Sequence, residues 1–154
     1  PFLQVLQPGA QIVPIAVPPS PEAVKIGQAV GKVLSGKPPG RACMVGSTDL
    51  THHGGHFGSP GGTGEKSEAY ARANDQRILQ RIEAMDAEGV IPEAMQHQNA
   101  CGAGAIAATI AACRELGAKA GHILDYTNSY KVIHEKYPYE LDDTTVGYAS
   151  VIFA

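Results

Sequence analysis

The chain has 154 residues with a formal net charge of −3, 44% hydrophobic and 18% charged residues, the size and balance of a single globular domain with one hydrophobic core. Its Lys and Arg residues are scattered rather than gathered in a stripe, aromatic residues make up 6%, and Trp is absent. Those features argue against nucleic-acid binding, which needs clustered cations or base-stacking platforms. The three cysteines, Cys43, Cys101 and Cys113, are odd in number and form no Cys-x-x-Cys pair, so reduced thiols in a cytoplasmic protein are expected rather than a secreted disulfide framework. No run reaches the ~20 apolar residues of a membrane span. The opening Pro1-Phe2-Leu3 starts inside an apolar phrase, so residues 1–154 read as one domain forming the carboxyl-terminal part of a longer chain.

In chain order, the β-branched run 11–17 predicts a strand, placed at an edge or bulge because Pro14 has no N–H for a ladder. Ser20 as N-cap, Pro21 at the first helical position and Glu22 near the dipole start a helix. Ala23, Ile26, Val30, Val33 and Leu34 carry its apolar stripe to about residue 35, before Pro38-Pro39-Gly40. Residues 41–46 predict a second strand, buried on both faces. A glycine-rich loop over 47–64 follows. A helix over 67–85 places Ile78, Ile82 and Met85 on one face, and a short helix covers 92–96. The Ala-rich stretch 102–116 predicts a helix packed closely against a sheet, with Gly117 just past its end. A third strand at 122–126, a polar excursion over 129–142 and a last strand at 146–153 complete the pattern. Strands alternating with helices indicate an α/β fold with a largely parallel sheet flanked by helices.

Two stretches carry residues suited to chemistry. Asp49 and His52 lie where the chain leaves a predicted strand, the place where α/β sheets hold ligands. Asp49 suits metal ligation or orientation of a histidine, and His52 suits ligation or acid–base work near neutral pH. The bland alternative is an Asx-turn followed by exposed histidines. In the cluster His52, His53 and His56, neighbouring imidazoles rarely reach one ion, so His52 with His56 is the better pair. His53 and His56 otherwise read as surface residues of a flexible loop. Cys101 precedes the Ala-rich helix, whose unpaired N–H groups and dipole favour a thiolate, although a free cysteine is often just a buried hydrophobe. Cys43 and Cys113 read as core, and His97, His122 and His134 as structural.

Taken together, Ser47-Thr48-Asp49-Leu50-Thr51-His52, then Ala100-Cys101-Gly102-Ala103-Gly104-Ala105-Ile106, then Val146-Gly147-Tyr148-Ala149 resembles the MEMO family, whose prokaryotic members are called AmmeMemoRadiSam system protein B. Pro1-Phe2-Leu3-Gln4 with Ile12-Val13-Pro14-Ile15 looks like the phrase that follows a His-Ser-Xaa-Glu motif there. The resemblance covers essentially the whole chain and implies a fold like that of class III extradiol dioxygenases. It also implies a metal-type pocket in which Asp49, His52 and Cys101 match the family's Asp, His and Cys. Two further family histidines belong to an amino-terminal half without counterpart here. His53 stands where an aromatic is more usual, Ala105 where proline is common, and the glycine-rich insertion 54–64 is atypical.

Three functions follow as expectations. One is a non-haem, metal-dependent dioxygenase-like oxidoreductase using Asp49, His52 and Cys101, with iron first and copper or zinc as alternatives, or no metal in this chain alone. Another is a non-catalytic protein that keeps the fold and binds a metal or peptide. The third is cysteine-nucleophile hydrolysis by Cys101 with His52. Expected partners are a small molecule or peptide, the amino-terminal half or a second copy of the chain, and neither nucleic acid nor membrane.

Overall fold

The computed structural model describes residues 2–38, 40–59, 64–139 and 144–154. Parts of the predicted polar excursion (140–142) and of the glycine-rich insertion (60–63) lie outside them. Helix α1 spans Phe2–Leu6, and α2 spans Glu22–Ser35. Pro21 occupies the cap position of α2 in place of Ser20, whose backbone carbonyl instead accepts the Ala23 N–H. Helix α3 runs Glu65–Glu83, close to the predicted 67–85, and buries Ala71, Asn74, Asp75, Ile78, Leu79 and Ile82 on one stripe. Helix α4 is Ala87–His97, longer than the predicted 92–96. The Asp86 side chain caps it by accepting the Gly89 N–H, so Pro92 lies inside the helix rather than at its start. Gln98 ends it in the left-handed conformation at φ 51°.

Helix α5, Ala103–Glu115, is the centre of the core: Ala103, Ile106, Ala107, Ala108, Ile110, Ala111 and Ala112 are all buried. Its small side chains admit another backbone, as expected, but the close partner is a helix and not a sheet. A Cβ placed on Gly27 of α2 would lie 2.1 Å from the Ala108 carbonyl oxygen, and one on Gly31 would lie 2.7 Å from that of Ala112. Helix α4 also packs on α5. Gly117 follows α5 at φ 96°, a conformation that glycine adopts without strain.

The sheet departs from the expectation. Strands β1 (His52–Gly54), β2 (Gly121–Asn128) and β3 (Thr144–Phe153) form a three-stranded sheet in the order β1-β3-β2. Both pairings are antiparallel, with His52 opposite Val146 and Asn128 opposite Gly147. The described sheet is therefore antiparallel rather than largely parallel. Helix α3 packs against it, while α6 (Ser129–Lys136) occupies part of the predicted polar excursion. Residues 11–17 and 41–46, predicted as strands, have no regular secondary structure. Most of their side chains are exposed, so the expectation of a buried strand at 41–46 is overturned too. Cys43 is exposed rather than core, and Cys113 is half-buried at the edge of the core.

Candidate metal centre

Three segments distant in sequence meet at one point. The extended stretch after residue 46 brings Asp49, β1 brings His52, and the turn before α5 brings Cys101. One donor atom from each, a carboxylate oxygen, an imidazole nitrogen and a sulfur, all lie within 4.8 Å of one another. The meeting is fixed by backbone bonds: the Cys101 N–H donates to the Asp49 carbonyl at 3.2 Å, and the Asp49 N–H donates to Cys101 Sγ at 3.4 Å. Thr48 completes the clamp. Its hydroxyl donates to the Asp49 carbonyl at 2.7 Å, accepts the Gly102 N–H at 2.8 Å and lies 3.8 Å from the Cys101 sulfur. Gly102 is required here, because a Cβ would stand 2.8 Å from the Thr48 side chain and 2.9 Å from the Ser47 carbonyl oxygen.

His52 is held from the other side. The Leu50 N–H donates to the Gly147 carbonyl at 2.9 Å and the Gly147 N–H to the Thr51 carbonyl at 3.1 Å, so the segment before β1 is tied to β3. The imidazole lies against Phe57, ring centroids 4.9 Å apart. Its Nε2 is buried, makes no hydrogen bond among the described residues and stands 3.6 Å from Asp49 Oδ2, within ion-pair range but too far for a hydrogen bond. Tyr148 of β3 flanks the site. Burial first, and then the Asp49 carboxylate charge, push its hydroxyl pKa up.

The donor set fits a transition metal. Imidazole, carboxylate and thiolate are the ligands such ions take, and a buried imidazole nitrogen without a partner is a position that an ion satisfies. Donors around one ion with bonds of about 2.0–2.3 Å stand about 3–4 Å apart, which small side-chain rotations reach from the observed spread.

The structure separates the three loop histidines. Successive residues of a strand point to opposite faces, so when His52 faces the donors His53 faces away. His53 is 2% exposed and stacks on Tyr70 at 4.3 Å between centroids, which corrects its reading as a surface residue. His56 is exposed, sits edge-on to Phe57 and takes no part in the donor group, so the favoured pairing of His52 with His56 is not formed. Among the described residues, the Cys101 sulfur is met by the Asp49 amide and the Thr48 hydroxyl rather than by a hydrogen bond from His52.

Beneath the donors lies a polar layer that the motifs alone do not announce. Asp75 is fully buried, accepting the Thr51 N–H and the Tyr126 hydroxyl, each at 2.7 Å. Asn74 donates to the Thr51 hydroxyl at 3.1 Å and to the His97 carbonyl at 2.8 Å, and Asn99 donates to the Asn74 carbonyl at 3.0 Å. The signal for these residues was periodicity: Asn74 and Asp75 fall on the stripe that Ala71, Ile78 and Ile82 define along α3, so polar side chains there face inward.

Residues 1–152 match the family model described as Memo-like protein. The chain belongs to the Memo-like family. It is 35% identical over 155 residues to a MEMO1 family protein of Methanothermobacter thermautotrophicus, covering 97% of this chain and 48% of that protein. A MEMO1 family protein of Caldivirga maquilingensis is 30% identical over 156 residues, 99% of this chain and 49% of its own. Another from Pyrococcus abyssi is 30% identical over 162 residues, 99% and 53% respectively. The chain spans about half the length of the curated relatives it matches. Among the described residues, no helix is long and apolar enough to cross a membrane.

Proposed function

We propose that Asp49, His52 and Cys101 hold a divalent transition metal and that the site serves redox chemistry of a dioxygenase-related kind. The observation that carries this reading is the convergence of three different donor atoms with an imidazole Nε2 that is buried and, among the described residues, lacks a hydrogen-bond partner. Iron suits the nitrogen and carboxylate donors, whereas the thiolate shifts preference toward copper or zinc. Such an ion, when bound with an open position, polarises a substrate oxygen. The remaining work falls to the chain itself. Thr48 and the Asp49 amide fix the sulfur, and β3 fixes His52 through its pairing with β1. Asp49, half-exposed and 3.6 Å from His52 Nε2, is placed to hold the ring in orientation or to ligate beside it.

Anaerobic titration with Fe(II), Cu(II) and Zn(II) by calorimetry tests the site. One ion per chain is expected, with affinity reduced at least about 100-fold in His52→Ala and Cys101→Ala, taking loss of a direct ligand to cost at least as much as loss of an outer-shell partner. Binding unchanged in both variants would overturn the reading. The catalytic half is tested separately, by oxygen consumption of the iron-loaded chain with catechols.

A second reading is favoured by one observation. Cys101 is exposed and the Asp49 side chain is half-exposed, an open setting on one side of His52 that suits a metal- or peptide-binding protein without turnover. Metal binding without oxygen consumption separates that reading from the first.

A further inference from the structure

The register of β3 places Tyr148 beside the donor group. Gly147 faces α3, where an added Cβ would collide with the Asp75 carboxylate. Side chains alternate along a strand, so Val146 and Tyr148 face the other way. Val146 is the partner of His52 in the β1–β3 pairing, and cross-strand partners share a face. Tyr148 is therefore the diagonal neighbour of His52 on the face that carries the imidazole, at a spacing that an aromatic side chain bridges.

The chain entering β1 brings Asp49 to the same place. The Leu50 N–H donates to the Gly147 carbonyl and the Gly147 N–H to the Thr51 carbonyl, so two residues stand opposite one, as in a bulge. The extra residue sets Asp49 level with Tyr148, in keeping with the Asp49 charge acting, after burial, to raise the Tyr148 hydroxyl pKa. At neutral pH the phenol keeps its proton and is a donor beside a carboxylate that can only accept. Tyr148 is 41% exposed, and among the described residues its hydroxyl makes no hydrogen bond, so it is open to a molecule arriving from solvent.

Three protein donors leave a transition metal with at least one position for a further ligand. We propose that the Tyr148 hydroxyl positions that ligand, donating a hydrogen bond to a phenolate-type oxygen of a molecule bound at the Asp49, His52 and Cys101 donors. The inference rests on the metal reading above and deepens it by naming the group that selects the incoming ligand. An oxygen anion there is held by the ion on one side and by an O–H on the other. A ligand that presents carbon in its place leaves the hydroxyl without an acceptor once water is displaced, which weakens its binding.

The test compares the 154-residue chain with its Tyr148→Phe variant, which lacks only the phenolic oxygen. Calorimetry under argon gives the Fe(II) affinity of each. Each iron-loaded protein is then titrated with 4-nitrocatechol, whose visible spectrum reports its ionisation and binding. Fe(II) affinities are expected to agree within about 2-fold, and 4-nitrocatechol affinity to fall about 10-fold or more in the variant, the loss of one hydrogen bond to a charged oxygen. Equal 4-nitrocatechol affinities in the two iron-loaded proteins would overturn this proposal and leave the metal reading standing. So would a parent that binds Fe(II) but not 4-nitrocatechol. A fall in Fe(II) affinity as large as the fall in 4-nitrocatechol affinity would overturn it as well, because Tyr148 would then act on the protein donors. A parent that takes up no Fe(II) would overturn both readings together.

Discussion

Thr51 donates its backbone N–H to the buried Asp75 carboxylate at 2.7 Å, immediately before His52 in the chain. The same carboxylate accepts the Tyr126 hydroxyl at 2.7 Å, so one side chain of α3 ties together the segment entering β1 and the middle of β2. Removing it leaves two donors without their acceptor in a place that water does not reach. Asp75→Ala should destabilise the protein by about 3 kcal/mol, from about 1–3 kcal/mol per orphaned group. Asp75→Asn, which keeps an acceptor for Thr51, should cost less than half as much. Urea denaturation of the two variants checks the ratio.

Titration of Asp75 and Glu68 should pull stability in opposite directions. Burial raises the Asp75 carboxyl above its ordinary 3.8, against the hydrogen bonds from Thr51 and Tyr126. The folded state therefore holds this proton more tightly than the unfolded chain does. Its contribution is full below 3.8 and is lost as pH rises through the raised value. For Glu68, burial also opposes ionisation, but hydrogen bonds from Arg72 and Asn128 outweigh it and the carboxyl ends below 4.5. That contribution is present above 4.5 and lost as pH falls through the lowered value. Unfolding free energies followed over roughly pH 3 to 8 should show Asp75→Asn gaining on the parent as pH rises. Glu68→Gln should gain on the parent as pH falls.

Close approach of α2 to α5 depends on Gly27. Its missing Cβ would stand 2.1 Å from a backbone oxygen that cannot rotate away. Gly27→Ala should cost about 2–3 kcal/mol, the upper range for overpacking, and lower the urea midpoint accordingly. Gly9, with nothing within 4 Å of its Cβ position, is the control and should change stability by less than about 0.5 kcal/mol on substitution by Ala.

His53 within β1 and His56 just after it should behave differently. His53→Ala removes a buried ring and its stack on Tyr70, with an expected loss of about 2 kcal/mol. His56 is exposed, and His56→Ala should stay within about 0.5 kcal/mol. Thermal unfolding of the pair distinguishes them.

The three thiols should report on the proposed metal centre. Cys43 and Cys101 are exposed, while burial pushes the Cys113 thiol pKa up, so Cys113 should alkylate slowest with iodoacetamide. Added zinc should protect Cys101 and leave the Cys43 rate unchanged. Mass spectrometry of the labelled peptides reads both rates, and equal protection of the two cysteines would count against ligation by Cys101.

Where the sequence was legible, periodicity was the reason. The stripe of Ala23 to Leu34 gives α2, and the Ala-rich run around Ile106 and Ile110 gives α5, because a helix face must find a core whatever that core is. Helix α4 began earlier than expected because Asp86, not Pro92, supplies its start signal. The strands at 11–17 and 41–46 were misplaced for a different reason. Strand propensity states which surface a residue fits, while a strand exists only with a neighbour to bond, and among the described residues no strand pairs with either stretch.

By itself, the order of residues indicated α2, α3 and α5, the family and the candidate group Asp49, His52 and Cys101. Tertiary structure decided which of the clustered histidines faces those donors, since pairing of β1 with β3 turns His52 one way and His53 the other. It also decided that the described strands run antiparallel and that Asp75 supports the site from below, because direction and depth arise only when distant segments share hydrogen bonds.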